Sequence, residues 1–274
     1  MWTAKRHIDK LSGFRLTTAH AGLIFDKYKK PENNNDKKEE AKKSLVLKTA
    51  KQAKVGNSYT KYFNFWKNSI NSIDESYHVA SAEIRVKGRM LIGVGEESTI
   101  ETGITIHRTY GLPYIPGSSL KGLASAYAHK YLEPDEADWK KGDKDGNGRG
   151  DAQEAIFGST EQAGDVIFFD ALPNPNHIPN QDIQEWKGCW LVPDIITVHH
   201  QDYYSNKDNS PPADWDDPNP IPLLSAVGEY WLVVAGKDNN AVEAAFNLLK
   251  FGLEFEGIGA KTAIGYGKME KVKI

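Results

Sequence analysis

Cysteine is almost missing from this chain of 274 residues: Cys189 stands alone. No intramolecular disulfide can staple the fold, and the usage points to a reducing compartment. Long apolar runs are missing too. No stretch approaches the span of a membrane helix, and the start, Met1-Trp-Thr-Ala-Lys-Arg-His7, lacks the apolar core of a signal peptide. The expected address is the cytoplasm, with no membrane partner. A surplus of positive charge is the third absence. The formal net charge is −3, whereas a protein that coats nucleic acid unaided is usually basic. That argues against a free-standing binder but leaves room for a subunit with one local phosphate groove, held there by neighbours. Two site signatures also fail. Lys261-Thr262 suggests a nucleotide phosphate loop, yet Ala260 stands where that motif needs glycine, and no glycine precedes it at the required distance. His199-His200 offers two imidazoles without a thiolate or a spaced partner, which argues against zinc.

What is present is a globular composition able to bury a core, with 39% hydrophobic residues and 24 glycines. The organising stretch is Gly111-Leu-Pro-Tyr-Ile-Pro-Gly-Ser-Ser-Leu-Lys-Gly122. Pro113 and Pro116 hold the backbone extended. Gly117 then releases it, Ser118 or Ser119 offers a capping hydroxyl, and a helix follows over 120–132. Backbone N–H groups, the serine pair and Lys121 gather at one helix N-terminus, which suits an anion and above all phosphate. An ordinary capped helix with a solvated lysine is the alternative. A second glycine-rich stretch, Gly257 to Gly267, sets bare backbone beside Lys261 and Thr262, where a polyanion can approach.

The first eighty residues read as a helical appendage. Residues 31–40 contain no apolar side chain, and the surrounding lysines are diluted by Glu32, Asp36, Glu39 and Glu40, so this face reads as solvated more than RNA-contacting. Tyr59, Tyr62, Phe63, Phe65 and Trp66 are spaced for core or subunit contact more than for base stacking. Alternation over 84–94 predicts a strand with Arg85, Lys87 and Arg89 on one face. Further strands are expected at 166–169, 229–235 and 264–274, with a helix over 240–251. The order strand, helix, strand, strand, helix, strand predicts an α+β, ferredoxin-like (RRM-like) core of βαββαβ order, familiar as an RNA-binding platform. One domain is expected over 1–274: an N-terminal helical extension over 1–80 and a core over 84–274, the core carrying an insertion at 133–162. An arm over 190–222 is rich in proline and has His199, His200 and Tyr203 at its tip, which reads as a protruding hairpin.

Asp143-Lys-Asp-Gly-Asn-Gly-Arg-Gly-Asp-Ala-Gln-Glu154 satisfies the twelve-residue calcium-loop pattern. Asp143, Asp145, Asn147 and Asp151 would supply side-chain oxygens, Arg149 its carbonyl and Glu154 both carboxylate oxygens. Gly150 stands where an apolar anchor is usual, and no second loop is there to pair with. A structural calcium ion and a chance surface loop are both compatible with the pattern; no cofactor is required by anything else.

Five motifs, in chain order, carry a resemblance: Glu101-Thr-Gly-Ile-Thr-Ile-His107; Pro-Gly-Ser-Ser-Leu-Lys-Gly; Ile-Phe-Gly-Ser followed by Ala-Gly-Asp-Val-Ile-Phe-Phe-Asp-Ala; Asp194-Ile-Ile-Thr-Val-His-His-Gln-Asp-Tyr-Tyr204; and Gly-Ile-Gly-Ala-Lys-Thr-Ala-Ile-Gly-Tyr-Gly. Together they resemble the RAMP superfamily of CRISPR effector proteins, and the arm narrows the resemblance to the type III-B (Cmr) branch. The calcium-like loop and Val198, where proline is expected, depart from the family. The resemblance implies a non-catalytic backbone subunit of an RNA-guided effector, holding guide RNA toward its 3′ end. Its partners would be guide (CRISPR) RNA, target RNA and other RAMP subunits. Gly117, Ser118, Ser119, Lys121, Arg108, Gly259, Lys261, Thr262 and Tyr266 would hold RNA, with His199, His200 and Tyr203 on the arm. A metal-independent ribonuclease using His107, His129, His199, His200 or Tyr203 is a second reading, and a calcium-stabilised interaction module a third.

Overall fold

A computed structural model describes residues 20–27, 35–96, 98, 100, 102–132, 137–142, 148, 150–198 and 219–272. In chain order the helices are α1 (Ala21–Lys27), α2 (Asn35–Gln52), α3 (Asn57–Asn71), α4 (Gly117–Tyr131), α5 (Asp151–Phe157) and α6 (Asn239–Phe251). The strands are β1 (His78–Val86), β2 (Val166–Phe168), β3 (Leu172–Pro173), β4 (Leu191–Val198), β5 (Asn219–Ala226), β6 (Glu229–Gly236) and β7 (Met269–Lys271).

β6 is the centre of the main sheet. Its run Glu-Tyr-Trp-Leu-Val-Val-Ala-Gly is apolar at consecutive positions, the pattern of a strand covered on both faces, and all eight residues are buried. The sheet order is β2-β6-β1-β7, with β3 also on β6, and every pairing is antiparallel. Tyr230 lies opposite Ile84 and Trp231 opposite Glu83, so alternate residues enter opposite layers. On the Tyr230 side α6 closes the core: Gly236 abuts Val242, and Val242, Ala245, Phe246, Leu248 and Leu249 are buried at helical spacing. Asp238 starts that helix by accepting the N–H groups of Asn240 (2.7 Å) and Ala241 (3.4 Å).

On the Trp231 side α3 closes it. Phe63 meets Trp231 edge-on at 5.8 Å, Trp66 meets Phe169 at 5.5 Å, and the Tyr59 hydroxyl donates to the Pro173 carbonyl at 2.6 Å. The sheet surface expected as an RNA platform is therefore filled by a helix. The expected N-terminal extension is likewise built into the core: Ala21, Ile24, Phe25, Val46, Ala50, Tyr59 and Phe63 belong to the same buried cluster as β6.

β4 and β5 form a separate two-stranded antiparallel ribbon, paired from Leu191↔Ala226 to Val198↔Asn219. Its root is anchored by Trp190, whose N–H donates to Ala53 at 2.8 Å, and by the Met90–Ala226 bridge. Exposure climbs outward from Leu191 at 0% to Ile195 at 59%. Two strands are shorter than the alternation suggests. β1 stops at Val86, so Lys87 and Arg89 lie beyond it rather than sharing a face with Arg85. The last strand is only Met269–Lys271, because Thr262–Ile264 forms a 3-10 turn and the glycines after it turn the chain.

Candidate nucleic-acid interface

The helix N-terminus expected to hold phosphate is already occupied. Pro116 is the N-cap and has no side-chain oxygen to cap with, so both serines fall inside the first turn of α4. Asp170 takes the role instead, its Oδ1 accepting the Gly117 N–H at 2.7 Å. A carboxylate at that point satisfies the orphan donor and the positive helix end together. Gly117 itself is buried, and a Cβ there would run into the Phe168 carbonyl. Ser118 is exposed, while Ser119 and Lys121 are half-buried on the same turn.

The second stretch wraps on the segment after β1. Ala260 N–H donates to Leu91 O (2.7 Å), Gly267 N–H to Arg89 O (2.8 Å) and Ile258 N–H to Gly267 O (3.0 Å). Gly259 has φ 90°, and a Cβ on it would strike the Leu91 carbonyl. Lys261 is exposed and adopts φ 58°, a left-handed conformation uncommon for a residue with a Cβ. Thr262 starts the 3-10 turn, and the half-buried Tyr266 hydroxyl donates to Asp194 Oδ2 at 3.0 Å. That same oxygen lies 3.1 Å from Arg89 Nη1.

A relay of backbone bonds joins the two stretches. From Leu91 and Ile92 it passes to Thr105 (Thr105 N–H to Ile92 O, 3.0 Å), through the Ile106–Pro113 bridge, to Ile115 paired with Ala171 beside Asp170. On this relay lies a cleft of about 1240 Å³ whose lining includes His20, Asp26, Glu96, Thr105, His107, Arg108, Tyr114 and Asp170. Among the described residues, Arg108 is the one sequence-chosen RNA residue in its lining, and it is exposed.

Among the described residues three carboxylates, Asp26, Glu96 and Asp170, share the lining with that arginine, a balance that disfavours a phosphate backbone. Its histidines are poor bases. His20 Nδ1 accepts the Leu23 N–H (3.3 Å) and His107 Nδ1 the Thr109 N–H (3.2 Å), which leaves each neutral ring presenting Nε2–H. Burial lowers both pKa values, more than Asp26 and the nearby carbonyls raise His20 or Asp170 raises His107. His129 Nδ1 is also engaged, by the Lys141 N–H at 3.3 Å.

His199, His200 and Tyr203 lie outside the described residues, as do Asp143, Asp145, Asn147 and Arg149 of the calcium-loop pattern. Asp151 opens α5 and Glu154 lies within it; no metal-holding group of three or more His, Cys, Asp or Glu occurs among the described residues. Sequence reasoning passed over Asp170, Arg89 and Asp194 as site residues. Each sat within a quoted stretch, but their partners are remote in sequence: Asp170 lies 53 residues from Gly117, and Tyr266 lies 72 from Asp194.

The model of the RAMP superfamily matches residues 83–270. The protein named CRISPR system Cmr subunit Cmr6 from Pyrococcus furiosus is 30% identical over 282 residues, covering 86% of this chain and 80% of its own length. Its namesake from Saccharolobus solfataricus is 26% identical over 258 residues, covering 92% and 78%. A chain in the cryo-EM structure of the type III-B Cmr-beta bound to cognate target RNA is similar in fold, with a TM-score of 0.63 and 25% identity; the match covers 89% of this chain and 77% of that one.

Proposed function

This chain belongs to the RAMP superfamily, and on that premise we propose that it is a non-catalytic, RNA-binding backbone subunit of a type III-B CRISPR effector complex. It serves RNA-guided antiviral defence in the cytoplasm and holds the guide RNA toward its 3′ end. Its partners are guide RNA, target RNA and the other subunits of the complex. What supports this is the relay of backbone bonds that links the two glycine-flanked, lysine-bearing stretches, in a chain similar along most of its length to two Cmr6 subunits.

The strand order supports a ferredoxin-like reading of the core: with β1, β2, β6 and β7 as its four strands, the sheet runs fourth, first, third, second. In this protein the platform face is closed by α3, so RNA is read on the rim of loops. Phosphates lie against the side chains of Ser118, Ser119, Lys121, Lys261 and Thr262 and not on the Gly117 N–H, which Asp170 holds, and the β4–β5 hairpin is the arm that reaches the RNA. No cofactor is needed for this role; a calcium ion at 143–154 would be structural.

Replacing both lysines, Lys121→Glu with Lys261→Glu, tests the reading. Guide RNA retention by the reconstituted complex should fall, with a shallower dependence on salt because fewer phosphate contacts remain. Guide binding equal to wild type at every salt concentration refutes the lysine assignment. The ribonuclease reading is weakened by His107 and His129, whose Nδ1 atoms are spent on backbone N–H groups. The purified chain should leave labelled guide and target RNA intact. Cleavage that disappears on His199→Ala or His200→Ala would overturn the non-enzyme assignment.

A further inference from the structure

Asp194 joins three segments that are remote in sequence. It sits at the root of the hairpin, and one of its oxygens, Oδ2, receives the Tyr266 hydroxyl of the glycine-rich loop (3.0 Å) and the Arg89 guanidinium of the segment after β1 (3.1 Å). Arg89 Nη1 also donates to the Pro193 carbonyl at 2.8 Å. The Asp194 side chain is only 15% exposed, so losing these partners would strand a mostly desolvated carboxylate. Burial, reinforced by the Asp194 carboxylate, raises the Tyr266 pKa and keeps its hydroxyl a donor.

The backbone ties are unevenly shared. The glycine-rich loop is fastened to Arg89 and Leu91 by two main-chain bonds, and β5 is fastened to Met90 by a reciprocal pair at 2.8 and 2.9 Å. β4 reaches the glycine-rich loop through the Asp194 side chain. Beyond that residue the ribbon emerges from the core, with Ile195 already 59% exposed.

We propose that Asp194 is a positioning residue for RNA binding: with Arg89 and Tyr266 it fixes the direction in which the hairpin leaves the core relative to Lys261. Hairpin and glycine-rich loop then meet the same RNA strand as one body. This rests on the RNA-binding reading above and adds to it a coupling between two elements that each contact RNA.

Hydrogen exchange and guide dissociation, measured on the complex reconstituted with guide RNA and neighbouring subunits, test it. Tyr266→Phe removes one oxygen and keeps the ring; Asp194→Ala removes the shared carboxylate and leaves Arg89 only the Pro193 carbonyl. Both should speed amide exchange at Ile196 and Thr197, by about tenfold in Asp194→Ala, with β6 amides unchanged; Ile195 is left out because its N–H donates to Asp194 Oδ1 directly. Guide dissociation should quicken by a similar factor, and Asp194→Asn should restore part of the loss, because its one amide oxygen can still accept Tyr266 and Arg89 while the Ile195 N–H loses its acceptor. Adding Lys261→Ala to Asp194→Ala should cost less than the product of the two single effects, since the pair acts through one contact. Wild-type exchange at 196 and 197 in both variants, or fully multiplicative losses with Lys261→Ala, overturns the coupling while leaving RNA binding in place. Failure of the wild-type chain to hold guide RNA overturns the RNA-binding reading instead, and with it the role given to Asp194.

Discussion

Arg85 and Arg89 lie four residues apart, and each directs its guanidinium at a carboxylate from a distant part of the chain. Their surroundings differ. Arg85 is inside β1, and its partner Glu229 is its cross-strand neighbour in register. The Arg85 Nε donates to Glu229 Oε1 at 2.8 Å, Nη2 reaches the same oxygen, and His177 Nδ1 lies 3.3 Å from it. Glu229 is only 7% exposed. The ladder would hold these two residues opposite each other even without the ion pair. Arg89 lies past the strand end, where a single backbone bridge, Met90 to Ala226, holds the segment to the ribbon, and Asp194 meets it through side chains and not as a cross-strand neighbour. One pair completes a geometry that a full ladder sets; the other reinforces one that a lone bridge sets.

The largest expected effect separates the two. Arg85→Ala leaves the buried Glu229 carboxylate without its main partner and should cost about 3 kcal/mol in denaturant unfolding. Glu229→Gln should cost less, because the arginine left behind is half-exposed and reaches water. Arg89→Ala should cost only about 1 kcal/mol, since Asp194 keeps Tyr266. A loss at Arg89 as large as that at Arg85 would erase the distinction drawn here.

Gly259→Ala comes next. Its φ of 90° and the Leu91 carbonyl in the path of a Cβ predict a loss of about 2 kcal/mol, with weaker guide retention because Lys261 moves with the loop. Thermal melting and RNA retention on the same sample check it. Retention at the wild-type level despite the lost stability would uncouple the loop from RNA.

Acid should reach one network only, and this is the smallest effect. Burial lowers the His177 pKa below its ordinary 6.5, with Arg85 pushing the same way and Glu229 opposing. A histidine with a depressed folded pKa adds stability that is present above about pH 6.5 and lost as the pH falls toward the folded value. The melting temperature should therefore drop between about pH 7.5 and 5.5, and His177→Gln should remove part of that drop. An identical pH profile in the variant would take His177 out of the linkage.

Much of the fold was legible along the chain. The unbroken apolar run at Tyr230–Ala235 marks a strand covered on both sides, and the Asp238 cap with apolar spacing from Val242 to Leu249 marks α6. The covering of the Trp231 face was not legible. The aromatics of α3 announce burial without saying against what, and the partner strand lies more than 160 residues later. The start of α4 was half legible. A helix was expected over 120–132 behind a serine cap, and it begins at Gly117 behind Pro116; nothing in Phe168-Phe-Asp170 says that this carboxylate will take the Gly117 N–H.

By itself the sequence determined most of the elements and their order, though not all their bounds, because helical and strand periodicities and turn chemistry act over a few residues at a time. Only the tertiary structure decided which face of the sheet α3 covers, that Asp170 fills the end of α4, and that Arg89, Asp194 and Tyr266 share an oxygen. Those are contacts between segments, and a contact depends on where packing brings two backbones together, which no local pattern contains.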